Sequence, residues 1–139
     1  MLEVYDKAQY HYEGTFPPDL SYQQAYVHMG MFLGWACRNN LISQDVEDDF
    51  FSEIQHFNNN NIKPAELMRL LGGTLASDML NSQGKDFAKY YYVDGDYIDD
   101  YMDTLSLNLS SIYHVEDTWE SFLKISQVIS DRFNNWLLQ

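Results

Sequence analysis

The chain has one cysteine, Cys37, so it cannot close an intramolecular disulfide. A lone thiol in an apolar stretch reads as a small buried hydrophobe and fits a reducing compartment. Positive charge is scarce too, with 8 Lys plus Arg against 21 Asp plus Glu and a formal net charge of -13. That balance argues against nucleic-acid phosphates and anionic membranes as direct partners, because both would be repelled. No apolar run approaches the roughly 18 residues of a membrane-spanning helix. The opening residues Met1 to Asp6 lack the basic and apolar regions of a secretory signal, so the expected location is cytoplasmic.

Catalytic motifs are missing as well. GxSxG, the Walker phosphate loop and GxGxxG do not occur. The four histidines, His11, His28, His56 and His114, never fall at HxxxH or HExxH spacing. With a single cysteine, no zinc cluster can be drawn from local sequence, and no metal ligand, cofactor or catalytic residue is assigned. The expectation is a protein that is not an enzyme.

What remains is an apolar, aromatic-rich chain of 139 residues, 45% hydrophobic, with 11 Tyr, 8 Phe and 3 Trp. This is too apolar for disorder and large enough for one domain, 1–139, with a real core. Residues 1–20 carry Gly14 and Pro17-Pro18 and no helical stripe. They are expected to form an extended arm pinned by Tyr5, Tyr10, Tyr12 and Phe16, with a short strand permitted at Tyr10 and Tyr12. From Asp19 or Ser21 to Asn39, apolar residues recur at helical spacing, and Gly30 and Gly34 mark where other elements approach closely. Ser43 caps a second expected helix to Phe57, and Pro64 opens a third that Gly72-Gly73 stops. Thr74 to Asn81 reads as a short helical turn. Further helices are expected from Asn81 or Ser82 through Tyr92, from Asp96 to Leu105, and from Asp117 or Thr118 onward. On the last, Trp119, Phe122, Leu123, Ile125, Ile129, Phe133, Trp136 and Leu137 are expected to face inward. The expected class is all-α, with five to seven helices.

Two acidic segments are the candidate binding surfaces. Asp45, Glu47, Asp48, Asp49 and Glu53 lie within nine residues, and Asp94, Asp96, Asp99, Asp100 and Asp103 form a second group. The second group suggests a calcium loop, but the EF-hand template requires a ligand, glycine and bidentate Glu where Ile98, Asp99 and Leu105 stand. Both groups are therefore read as solvated helix faces able to dock a basic protein. The run Tyr90-Tyr91-Tyr92 cannot bury wholly on one helix, since successive residues point about 100° apart. An alternative, of a different kind, is a small enzyme in which Tyr10, His11, Tyr12 and Glu13 fold over the helix bearing His28 to make a polar pocket.

Tyr5-Asp6-Lys7-Ala8-Gln9-Tyr10-His11-Tyr12-Glu13-Gly14, with Phe16-Pro17, resembles the opening of an uncharacterised bacterial domain family. The likeness continues through Ala25-Tyr26-Val27-His28-Met29-Gly30-Met31-Phe32-Leu33-Gly34-Trp35 and returns at Ser77 to Leu80 and Tyr113 to Trp119. It implies no activity. In size, acidity and simplicity the chain also resembles immunity proteins of contact-dependent inhibition and polymorphic-toxin systems. That resemblance implies a basic toxin domain as partner, neutralised through the acidic faces.

Overall fold

A computed structural model describes residues 2–139. The centre of the molecule is α2 (Val27–Arg38), on which every residue from Val27 to Cys37 is buried. A helix apolar on all sides must be enclosed on all sides, and its glycines mark two of the contacts. A Cβ on Gly30 would lie 2.3 Å from the carbonyl oxygen of Pro64, at the start of α5 (Pro64–Leu70). One on Gly34 would lie 2.6 Å from Phe57 and 3.0 Å from Phe122. Phe57 belongs to α4 (Phe51–Asn58) and Phe122 to α8 (Trp119–Leu137), so three helices close on the two glycines. Trp35 adds an anchor to α8 by donating its indole N–H to Ser130 Oγ at 2.9 Å.

Several expected boundaries rest on the anticipated caps. Ser43 Oγ accepts from Val46 N at the start of α3 (Gln44–Asp49), and Asn81 Oδ1 accepts from Gly84 N at the start of α6 (Ser82–Ala88). Thr118 Oγ1 does the same for α8 from Ser121 N. Gly72 and Gly73, at φ 111 and 72, turn the chain out of α5, a conformation that costs glycine little.

Several expectations need correction. The class is mostly helical but not all-α, because β1 (Val4–Lys7) pairs antiparallel with β2 (Thr74–Ala76). The N-terminal arm is therefore ordered structure, with the strand at Val4–Lys7 and a helix, α1 (Ala8–Tyr12), where a strand had been allowed. Residues 74–76 form β2 before the 3-10 turn Ser77–Met79, since the isolated arm needs a partner strand that no local pattern announces. The expected helix from Ser43 to Phe57 breaks at Phe50 (φ -122, ψ 32) into α3 and α4. With α7 (Tyr97–Tyr101), there are eight α-helices among the described residues, above the expected range. On α8, Leu123 and Leu137 are exposed, and in the arm so is Tyr10. Tyr12 and Phe16 do pin the arm, Tyr12 stacking on Tyr22 at 4.7 Å and Phe16 lying 4.9 Å from Tyr113.

Helices α6 and α7 each widen into a π-helical turn, at Lys89–Val93 and Met102–Ser106. Such turns shift the side-chain stagger and recur at functional sites. The first one divides the tyrosine run: Tyr90 is exposed, Tyr91 is buried, and Tyr92 points towards β1.

Candidate functional site

Five side chains from five separate segments meet where the N-terminal arm crosses α2. The β1–β2 register slips between Val4 and Asp6, and such bulges re-aim a side chain. Asp6 is thereby placed between α1, α2 and the π turn, its side chain 13% exposed. His11 comes from α1, His28 from α2, Tyr92 from the π turn after α6, and Tyr113 from the 3-10 turn Ile112–His114. Tyr97 steadies the base of the site by donating its hydroxyl to the His28 carbonyl at 2.5 Å.

The hydrogen bonds converge on the Asp6 carboxylate. Oδ1 accepts from His11 Nε2 at 2.7 Å and from the Lys7 amide at 2.9 Å. Oδ2 accepts from the Tyr92 hydroxyl at 2.5 Å and lies 3.3 Å from His28 Nε2. Burial works against ionisation of Asp6, but the donors from His11, His28 and Tyr92 outweigh it and hold the carboxyl well below its ordinary range. An ionised Asp6 can only accept, which fixes a proton of His11 on Nε2, and His11 Nδ1 lies 2.6 Å from the Tyr113 hydroxyl, which can donate to it or accept from it. His28 is lowered from its ordinary value by burial, with a smaller opposing pull from Asp6, and is neutral. Tyr92 is raised by burial and by the Asp6 charge, as is Tyr113. The two imidazole Nε2 atoms stand 3.2 Å apart, and His28 Nδ1 is buried without a hydrogen-bond partner among the described residues.

This cluster opens on a cavity of about 260 Å³ lined by Tyr5, Asp6, His11, His28, Tyr92, Val93, Tyr97 and Ile98. The arrangement can hold a cation between two imidazoles and a carboxylate, or move a proton along Tyr113, His11 and Asp6. The alternative pocket anticipated from sequence thus receives His11 and His28, but not its other members. Glu13 is exposed and bonded to Gln9, and Tyr12 stacks on Tyr22. Asp6, Tyr92 and Tyr113 were missed. No spacing rule links positions 6, 11, 28, 92 and 113, and Asp6 is one of four acids in the arm, with Glu3, Glu13 and Asp19, with no local signal to single it out.

The acidic candidates lie elsewhere. Glu47 and Asp48 edge a groove of about 350 Å³ that follows one face of α3 and α4 through Gln44, Phe51, Ile54, Gln55 and Asn58. Asp45 and Asp49 border a second groove, of about 530 Å³, running to Val4 and Lys7 of β1. Glu53 is half-buried on α4. Asp45, Glu47, Asp48, Asp49 and Glu53 have no ion-pair partner among the described residues. The second group is partly compensated from within. Asp100 takes two hydrogen bonds from Arg132, both 2.9 Å, and one from Tyr91 at 2.6 Å, while Asp96 lies 3.5 Å from Arg132. Asp94, Asp99 and Asp103 are exposed. Asp96 occupies the cap position of α7 without a side-chain cap bond.

Fold and site together define a mostly helical domain whose N-terminal strand and helix carry a polar cluster onto a buried central helix. The chain belongs to the family described as Domain of unknown function (DUF7832), which matches residues 4–115. That span contains all five cluster residues and stops short of α8. No curated protein and no solved structure matches the chain. Among the described residues, no helix is long and apolar enough to cross a membrane.

Proposed function

We propose that this chain binds a basic protein through the face of α3 and α4 and acts as an immunity-type inhibitor of a toxin domain. The carrying observation is Phe51. This large side chain is 65% exposed, and it sits in the groove whose edge carries Glu47 and Asp48. An exposed aromatic beside unpaired carboxylates has the two parts of a steered interface: long-range attraction for a positive partner and an apolar anchor to hold it. Asp94, Asp99 and Asp103 are a second exposed acidic group, without an aromatic anchor of comparable exposure beside an acidic groove. Neutralisation by occlusion needs no chemistry from this chain.

The test is capture of a partner from the source organism by the native protein and by Phe51→Ala, with retention followed as salt rises. A basic protein that is held by the native chain, released by salt and lost with Phe51→Ala supports the interface. Growth arrest by that protein alone, relieved by co-expression of this chain, supports immunity. Equal retention by both forms removes the groove from the reading.

A second reading, a small enzyme, is favoured by the pocket at Asp6, His11 and His28, where an acid–base pair faces a cleft open to solvent. It expects a small metabolite to raise the melting temperature of the native protein and to leave His11→Gln unmoved. A metabolite panel that shifts neither protein counts against it.

A further inference from the structure

We propose that Asp6, His11 and His28 form a binding site for one divalent transition-metal ion of the zinc class, with the cavity supplying the remaining coordination. One donor atom from each of these three residues lies within 4.8 Å of the others. The spacings fit a common centre. Zinc takes imidazole nitrogen at about 2.0–2.1 Å and carboxylate oxygen at about 2.0–2.2 Å, so neighbouring donors sit about 2.9 Å apart in octahedral and 3.4 Å in tetrahedral geometry. The separations here are 3.2 Å between the two Nε2 atoms, 2.7 Å from His11 Nε2 to Asp6 Oδ1 and 3.3 Å from His28 Nε2 to Asp6 Oδ2. Two imidazoles and one carboxylate are also a donor set suited to such ions, leaving positions open for water or substrate.

Hydrogen bonding alone accounts poorly for His28. The His11 Nε2 proton is directed to Asp6, so His28 Nε2 faces a nitrogen at 3.2 Å and a carboxylate oxygen at 3.3 Å, both long contacts. Its Nδ1 lacks a partner among the described residues whichever nitrogen carries the proton, so that cost is the same with or without a metal. Outer support is present for the other ligands. With a metal on Nε2, His11 carries its proton on Nδ1 and donates it to the Tyr113 oxygen, now 2.6 Å away. Tyr92 keeps its hydrogen bond to Asp6 Oδ2 while Oδ1 turns to the ion. Because the three ligands lie on β1, α1 and α2, the ion would also tie the arm to the body.

The experiment is titration of the full, chelator-treated chain with Zn²⁺ by calorimetry, and with Co²⁺ by visible absorption and proton NMR. Saturable binding at one ion per chain is expected, with Co²⁺ shifting or broadening the ring resonances of His11 and His28 and leaving those of His56 and His114. His11→Gln should weaken Zn²⁺ at least 100-fold and Tyr113→Phe roughly 10-fold, whereas His56→Gln should change nothing. Circular dichroism establishes that each variant is folded, and the NMR readout on the native chain stands even if a ligand variant unfolds. Absence of one-to-one binding to the folded native chain, or paramagnetic effects at His56 or His114 alone, overturns the site.

Discussion

Asp117 tests whether burial in this fold governs a carboxylate. It precedes α8, its Oδ2 accepts from the Ala65 amide at 3.3 Å, and its Oδ1 is buried with no partner among the described residues. Burial raises it to about 6, and Glu66 pushes the same way, while the Ala65 bond and Lys63 oppose. Tyr101, also facing it, is neutral throughout the relevant range. The folded value is above the unfolded one of about 3.9, so between pH 4 and 6 the folded chain holds a proton that the unfolded chain has lost. Stability from this group is therefore full below pH 4, falls as pH rises, and levels off above pH 6. The loss is up to about 3 kcal/mol, from a shift of two pK units at 1.36 kcal/mol each. Asp117→Asn keeps the acceptor for Ala65 and removes the titration. Its amide adds a constant offset, so the informative quantity is the change with pH in the difference between variant and parent. Urea unfolding at intervals from pH 4 to 8 should show the variant gaining on the parent by up to about 3 kcal/mol across pH 4–6 and keeping pace beyond. A difference that stays constant with pH would refute the assignment.

Gly30→Ala should lower stability by about 2 kcal/mol or more, since the roughly 1 kcal/mol gain in helix propensity is outweighed by a methyl 2.3 Å from the Pro64 carbonyl. Thermal denaturation reads it, and an unchanged or higher melting temperature would mean that α2 and α5 are not in contact there. Tyr97→Phe deletes a buried hydroxyl that donates to the His28 carbonyl and should cost about 1 kcal/mol in the same assay. Cys37, buried and pushed up to about 12 chiefly by desolvation, should react with a disulfide reagent only after guanidinium unfolding. Charge reversal at Asp48 and Asp49 should slow association with a basic partner and flatten its salt dependence, as stopped-flow mixing would show.

The helical skeleton was legible because its signals are local. Ser43, Asn81 and Thr118 each act on an amide three residues away, and the apolar stripe from Val27 to Cys37 needs no knowledge of its neighbours to be read as a buried helix. The glycines at 30 and 34 announced close approach, though not which helices would approach. β1 and β2 were not legible, because each is short and is stabilised by a partner about seventy residues away. The break at Phe50 escaped for a related reason: the stripe Val46, Phe50, Ile54, Phe57 continues through it without a proline or glycine to mark the change.

The same distinction between local and assembled features separates the acidic faces from the polar cluster. Carboxylates on α3 and α7 stand out in sequence since they are adjacent, yet adjacency on a helix face is what solvation alone would produce. Asp6, His11 and His28 share no period, and only the fold brings them together. Placing an acid and two imidazoles at the edge of an apolar core carries a desolvation cost, and here the cost is offset by bonds from Tyr92 and Tyr113, supplied by two further segments. β1 connects the two regions: Val4 and Lys7 line the groove beside Asp45 and Asp49, while Asp6 faces the cluster. A bulge between Val4 and Asp6 is what lets one four-residue strand serve both. Deleting Tyr5 would restore regular pairing and leave Asp6 opposite Leu75 and Lys7 opposite Thr74, on the faces they now occupy. It should therefore leave Asp6 facing the cluster: the Tyr92 and His11 contacts to Asp6 are expected to persist in an NMR structure of the variant, and their loss would refute this account of the strand.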